Sequence, residues 1–181
     1  MMKKSETAKS PDGPKRITLE RTLRASVEDV WKLWTTKAGL ESWWGPDGFT
    51  TEVKKLDFRA GGTFEYSMTA TGAAQIEGMK AAGLPLTSTV RGTYREVAPR
   101  QRFAYTTVVD FIARVAPYEV GARVEIHVEP QGVRLVVIED PLHNAEWTRM
   151  SVMGMNSSLD KLARLLEERR VNDQAVRSAE E

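Results

Sequence analysis

Acid–base or nucleophilic chemistry in this chain has few residues to draw on. There are two histidines, His127 and His143, and no cysteine, which removes disulfides, thiolate metal sites and a cysteine nucleophile together. The histidines lie far apart and show no His-x-x-x-His spacing, so neither a metal nor any other cofactor is expected. Ser157 and Ser158 lack the surroundings of a nucleophile elbow and read as small residues that let a helix pack closely. Gly61 and Gly62 lack the spacing of a phosphate-binding loop and read as a turn. What remains are Tyr66, Tyr94 and Tyr105 with two carboxylates, Glu96 and Glu139, which stand at strand ends. From there they either turn inward as general acid or base or stay on a solvated rim.

The elements that must position these groups are written in the hydrophobic pattern. Ile17, Leu19 and Arg21 alternate with Thr18, Glu20 and Thr22, giving a first strand. Ser26 with Asp29 marks a helix start, after which Val27, Val30, Trp31 and Trp34 fall at helical spacing. A second short helix runs through Leu40, Trp43 and Trp44 to the stop at Gly45 and Pro46. From Phe49 the signal changes to successive strands, ending in a hairpin whose tip is Pro130, Gln131 and Gly132. Pairing Val128 with Val133 there sets Ile126 opposite Leu135 and Val124 opposite Val137. A long helix follows from about Asn144 to Arg169, with Met155, Leu159, Leu162 and Leu166 on one stripe. The fold class is therefore α+β, a curved antiparallel sheet wrapped around a long C-terminal helix, with two short helices after the first strand. Residues 15–169 form one domain; residues 1–14 and 170–181 read as flexible tails.

Strand parity sends Glu65, Arg91, Arg95, Glu125 and His127 to the outer face of the sheet and Phe64, Tyr66, Tyr94, Phe103, Tyr105 and Thr107 to the inner one. The expected ligand site is that inner wall with Trp44, facing Met155, Ser158 and Leu162 on the helix. Trp43 and Trp44 are core plugs first, although one can fill the core while the other borders a cavity. His143 belongs to the approach to the long helix. Met150 and Met153 fall off the apolar stripe and either pack under a loop or make a homodimer contact. The segment from Thr71 to Ser88, with three glycines and Pro85, is either a mobile lid or a fixed helix or loop on the sheet.

With 26 basic against 25 acidic side chains, no global field attracts nucleic acid or an anionic membrane. No apolar run is long enough for membrane insertion, and the absence of cysteine fits a cytoplasmic location.

The stretch "VEDVWKLWTTKAGLESWWGPDGFTTEVKKLDFRAGGTFEY", the later "GTYREVAPRQRFAYT" and the terminal "MGMNSSLDKLARLL" resemble, in this order, the heat-shock-protein-90 ATPase activator-like family. That family is a branch of the START/Bet v 1-like (SRPBCC) superfamily. The resemblance spans most of Arg16 to Glu168, with Trp-Trp-Gly-Pro and Asp57-x-Arg59-x-Gly61-Gly62 as its most specific elements. It implies the helix-grip fold and a cavity between sheet and helix. Met155 stands where an aromatic residue is common, which would enlarge the pocket, and the Thr71–Ser88 segment is longer than the hairpin loop usual there. Eukaryotic activators pair this domain with another that helps bind the chaperone; none is evident in this chain, so chaperone binding is not expected. The leading expectation is a binding protein for a small, largely apolar molecule rather than an enzyme. The alternatives are a cyclase- or hydrolase-like enzyme using the tyrosines and Glu96, and a chaperone-associated interaction module.

Overall fold

The structure is a computed structural model that describes residues 15–180; the segment 1–14, expected as a tail, lies outside the described residues. In chain order the elements are β1 (Ile17–Leu23), α1 (Val27–Thr35), α2 (Lys37–Trp43), β2 (Phe49–Leu56), β3 (Thr63–Ala70), α3 (Ala73–Ala81), β4 (Thr87–Ala98), β5 (Arg102–Val109), β6 (Tyr118–Glu129), β7 (Gly132–Glu139) and α4 (Ala145–Ala179). The strands form one antiparallel sheet of order β1-β7-β6-β5-β4-β3-β2. After β1 the chain crosses through α1 and α2 to the far edge, then returns strand by strand until β7 closes on β1. The sheet curls around α4, so the expected α+β helix-grip architecture is the one found.

Three of the four helices, α1, α2 and α4, start at a side-chain cap. Ser26 Oγ accepts from the Asp29 amide at 3.0 Å, Thr36 Oγ1 from Gly39 at 3.0 Å, and Asn144 Oδ1 from Trp147 at 3.0 Å, each satisfying an amide that the first helical turn leaves unpaired. The β6–β7 hairpin has the expected register of Val128 with Val133, Ile126 with Leu135 and Val124 with Val137. Val128, however, is 73% exposed, because it sits beside the hairpin tip, beyond the packed core. Gly62 shows why the Asp57–Gly62 turn needs its glycine: a Cβ there would collide with the Asp57 carbonyl. In the same turn the Arg59 guanidinium bridges both Asp57 carboxylate oxygens at 3.0 Å.

Leu159, Leu162 and Leu166 of α4 are buried against Val124, Val133, Leu135 and Val137 of the sheet, and Val30, Leu33, Trp34 and Trp43 close the core from the α1–α2 side. Burial ends at Leu166 but the helix does not: it continues to Ala179, ten residues past the expected stop at Arg169. The segment 170–181, expected as a loose tail, is helical through Ala179 because it contains no glycine or proline, and Arg170 bonds both Glu167 and Gln174 one turn to either side. The Thr71–Ser88 segment likewise contains a helix, α3, with no fully buried residue. It is tied down at one end, where the amides of Thr71 and Gly72 both donate to the Gly48 carbonyl.

Candidate ligand-binding cavity

The end of α2 decides where the two adjacent indoles go. Trp43 is the last helical residue, while Trp44, the C-cap, has extended backbone (φ −63°, ψ 137°). The side chains consequently diverge. Trp43 is fully buried, donates its indole N–H to the Leu33 carbonyl at 3.0 Å and meets Trp34 edge-on at 4.7 Å between ring centres. Trp44 turns toward the sheet and meets Tyr66 at 6.1 Å. The following loop is pinned to α4: Lys161 donates to the Gly45 carbonyl at 3.0 Å, the Asp47 amide to Ser157 Oγ at 2.9 Å, and Arg164 pairs with Asp47 at 2.7 Å.

Two spaces open on the inner side of the sheet. The smaller, about 40 Å³, is a packing void among Trp34, Leu40, Trp44, Val53, Phe64, Tyr66, Tyr94, Phe103 and Tyr105. The larger, about 350 Å³, lies between the inner face of β3–β7 and the first half of α4. The expected site residues divide between them. Trp44, Tyr66 and Tyr105 border both spaces, Thr107, Met155 and Ser158 only the larger, and Phe64, Tyr94 and Phe103 only the void. Leu162 lines neither and is a core residue, with 0% exposure. The cavity therefore sits nearer the start of α4 than strand parity alone indicated.

The lining that sequence reasoning missed comes from the far ends of β5 and β6 and the first turns of α4, including Val109, Phe111, Val120, Ala122, Trp147, Met150, Ser151 and Gly154. The available signal was size: Ser151, Gly154 and Ser158 repeat at helical spacing opposite Ala122, leaving room where larger residues would fill the gap. Met150 thus belongs to the cavity wall, while Met153 is 65% exposed. No residue of α3 borders the cavity; Met68 and Thr89 on the flanking strands do.

The two strand-end carboxylates part company. A register shift between Tyr94 and Glu96 on β4 reverses the strand's parity and sends Glu96 to the outer face, where it takes a hydrogen bond from Arg102 at 2.6 Å and faces Arg123 at 3.6 Å. An inward Glu96, on which the enzymatic alternative relied, is overturned by that bulge. Glu139 keeps the inward parity of Val133, Leu135 and Val137 and lines the cavity. Burial there pushes its carboxyl up to about 7. Burial also pushes the Tyr66 phenol up to about 12 and the Tyr94 and Tyr105 phenols well above their ordinary range, so all three remain neutral donors near neutrality.

His127 lies on the outer face, 3.1 Å from Glu125, on the side of the sheet opposite the cavity. His127→Ala is therefore expected to leave ligand affinity within about twofold of the parent; a larger loss in a binding titration would mean that the faces of β6 are reversed. Among the described residues there is no group of three or more His, Cys, Asp and Glu side chains placed to hold a metal ion, and no helix is long and apolar enough to cross a membrane.

The family described as Activator of Hsp90 ATPase homolog 1-like protein matches residues 24–167. The chain belongs to this family. Among solved structures, it resembles a protein from Chromobacterium violaceum with a TM-score of 0.68 and 25% identity, over 86% of this chain and 99% of that one. An AHSA1 protein from Silicibacter pomeroyi gives a TM-score of 0.65 and 26% identity, over 86% and 99%. An AHSA1-like protein from Aeromonas hydrophila, at 18% identity over 85% and 93%, shares the fold with a TM-score of 0.64. No curated protein matches the chain in sequence. The SRPBCC resemblance stated from the motifs thus agrees with the family match, while a shared fold does not by itself fix an activity.

Proposed function

We propose that this AHSA1-like chain binds a small, largely apolar molecule in the cavity between the sheet and α4. The observation that carries the reading is a space of about 350 Å³ walled mostly by apolar and aromatic side chains, within the range of small-molecule pockets. Among the described residues none hydrogen-bonds the Tyr105 hydroxyl on its wall, so it is available to orient a ligand. Binding is favoured over catalysis because Glu139 is the one group in the lining brought near neutrality. The neighbouring phenols are moved away from it and keep their protons, which suits them to orient a ligand by donating hydrogen bonds.

Gly154 offers a direct test. A Cβ added there meets nothing within 4 Å, and the residue lines the cavity from the middle of a helix. Gly154→Leu is expected to fill the space and to gain about 0.5–1 kcal/mol of helix propensity. Binding of an environment-sensitive apolar dye such as Nile red should fall by about tenfold or more, while the melting temperature holds or rises. Unchanged dye binding by a folded Gly154→Leu protein would remove the cavity from the function.

A further inference from the structure

The charge of the cavity wall is one-sided. Among the described residues its lining includes two carboxylates, Glu139 and Asp140, and no lysine, arginine or histidine. Asp140 is already engaged, accepting from Arg16 Nε at 2.9 Å and from the Gly121 amide at 2.8 Å. Glu139, one residue earlier and on the inward face, has neither a hydrogen-bond donor nor a cation acting on it among the described residues; burial alone moves its carboxyl. A carboxylate in apolar surroundings is stable only when it takes a proton or gains a cationic partner. The described residues supply no such partner. The same wall carries the rings of Trp44, Tyr66, Tyr105 and Trp147, whose faces attract a cation and offer nothing to an anion. A fatty-acid-like ligand would bring a carboxylate into a space with no positive group and with Glu139 already present.

We infer that the ligand of this cavity is an amine, an apolar body bearing one basic nitrogen, whose ammonium group sits at Glu139 while its body lies along the apolar wall toward Met155. The inference rests on the binding reading above and narrows it to a ligand class. The groups around Glu139 leave it as the switch. Tyr66 on β3 and Tyr105 on β5 are the titratable side chains whose interaction with it is felt, and both stay protonated near neutrality. Its sheet neighbours are Ala122 on β6 and Ile17 on β1. The α4 residues in the lining, from Trp147 to Ser158, carry no titratable side chain, and the adjacent Asp140 is held by Arg16. Amine affinity should therefore weaken as pH falls through about 7, where a proton replaces the ammonium at Glu139.

Three probes of equal chain length separate the outcomes: decylamine, decan-1-ol and decanoate, titrated by calorimetry into the full chain and into Glu139→Gln at about pH 8, where the amine is charged. Decylamine is expected to bind the parent about tenfold more tightly than decanol, with decanoate weakest. In Glu139→Gln the amine should come within about threefold of the alcohol, with alcohol affinity little changed, since the substitution removes charge and retains shape. A melting curve confirms that the variant is folded. Equal affinity for amine and alcohol in the parent, an amine preference that survives Glu139→Gln, or tightest binding of decanoate would each overturn the amine assignment while leaving the apolar-binding reading in place. Failure of all three probes to bind would overturn that reading, and the amine assignment with it.

Discussion

Trp43→Ala is expected to destabilise the protein by about 3–5 kcal/mol, while the same change one residue later, Trp44→Ala, removes only about 1–2 kcal/mol. The difference follows from where α2 ends. Trp43 is fully buried, lies edge-on to Trp34 and Trp44 at 4.7 and 5.2 Å, and supplies the donor for the Leu33 carbonyl. That carbonyl belongs to the last turn of α1, where the helix has no amide of its own to offer. Truncation therefore leaves both a cavity and an unpaired acceptor. Trp44 is half-buried and separates the small void from the ligand cavity, so its loss merges the two spaces and should admit a bulkier ligand. Urea denaturation of both variants, with ligand titrations on the more stable one, tests the ranking. Trp43→Ala melting like the parent, or Trp44→Ala being the more damaging, would show that the wrong indole has been placed in the core.

The second large effect is a pH-dependent stability carried by Glu139. Its carboxyl rises from the ordinary value of 4.5 to about 7 in the folded protein because burial disfavours the charged form. Below 4.5 both folded and unfolded chains hold the proton, and the group does not destabilise the fold; between 4.5 and about 7 the unfolded chain releases the proton first, so stability is progressively lost. A shift of this size corresponds to roughly 3 kcal/mol in full, and contact with water at the cavity mouth reduces it to about 1–2 kcal/mol. Glu139→Gln, which cannot ionise, should therefore match the parent near pH 4.5 and become about 1–2 kcal/mol more stable than it by about pH 8. Chemical denaturation across that range reads the divergence directly. Parallel stability curves would mean that the carboxyl is solvated in the folded protein.

The sheet, the two short helices and the grip of the long helix were legible in the sequence because each is encoded locally. Ser26 and Asp29, the Gly45-Pro46 stop and the alternation in β6 and β7 all act within a few residues. The hairpin register was legible for the same reason, since one slip would turn Ile126 and Leu135 out to water. Whether Glu96 turned inward or to the rim was left open, because the bulge that sends it outward reverses parity and its cause lies in how β4 accommodates β5 rather than in the composition of either strand. The length of α4 was misjudged because burial stops at Leu166 while helix formation beyond it depends on side-chain pairs within the helix itself. For the site, the identity of the inner wall was visible but its centre was not: an apolar stripe marks where a helix packs, whereas a cavity lies where packing fails, and Ser151, Gly154 and Ser158 carry that information only once they face Ala122.

The pairing of β1 with β7 has a bearing on how the molecule comes into being. The first strand finds its only neighbour after every other strand has been made, with Ile17 opposite Glu139, and α4, which covers the inner face, follows later still. During synthesis, the apolar wall of Tyr66 and Tyr105 is therefore produced well before the helix that shields it. Assembly depends on contacts widely separated along the chain, a topology associated with slow folding, and the half-formed sheet, before β7 is made, presents both a bare edge at β6 and an uncovered greasy face to the surrounding medium. A molecule that fits the cavity would reward only the closed form and so favour completion of the fold over its earlier, stickier stages.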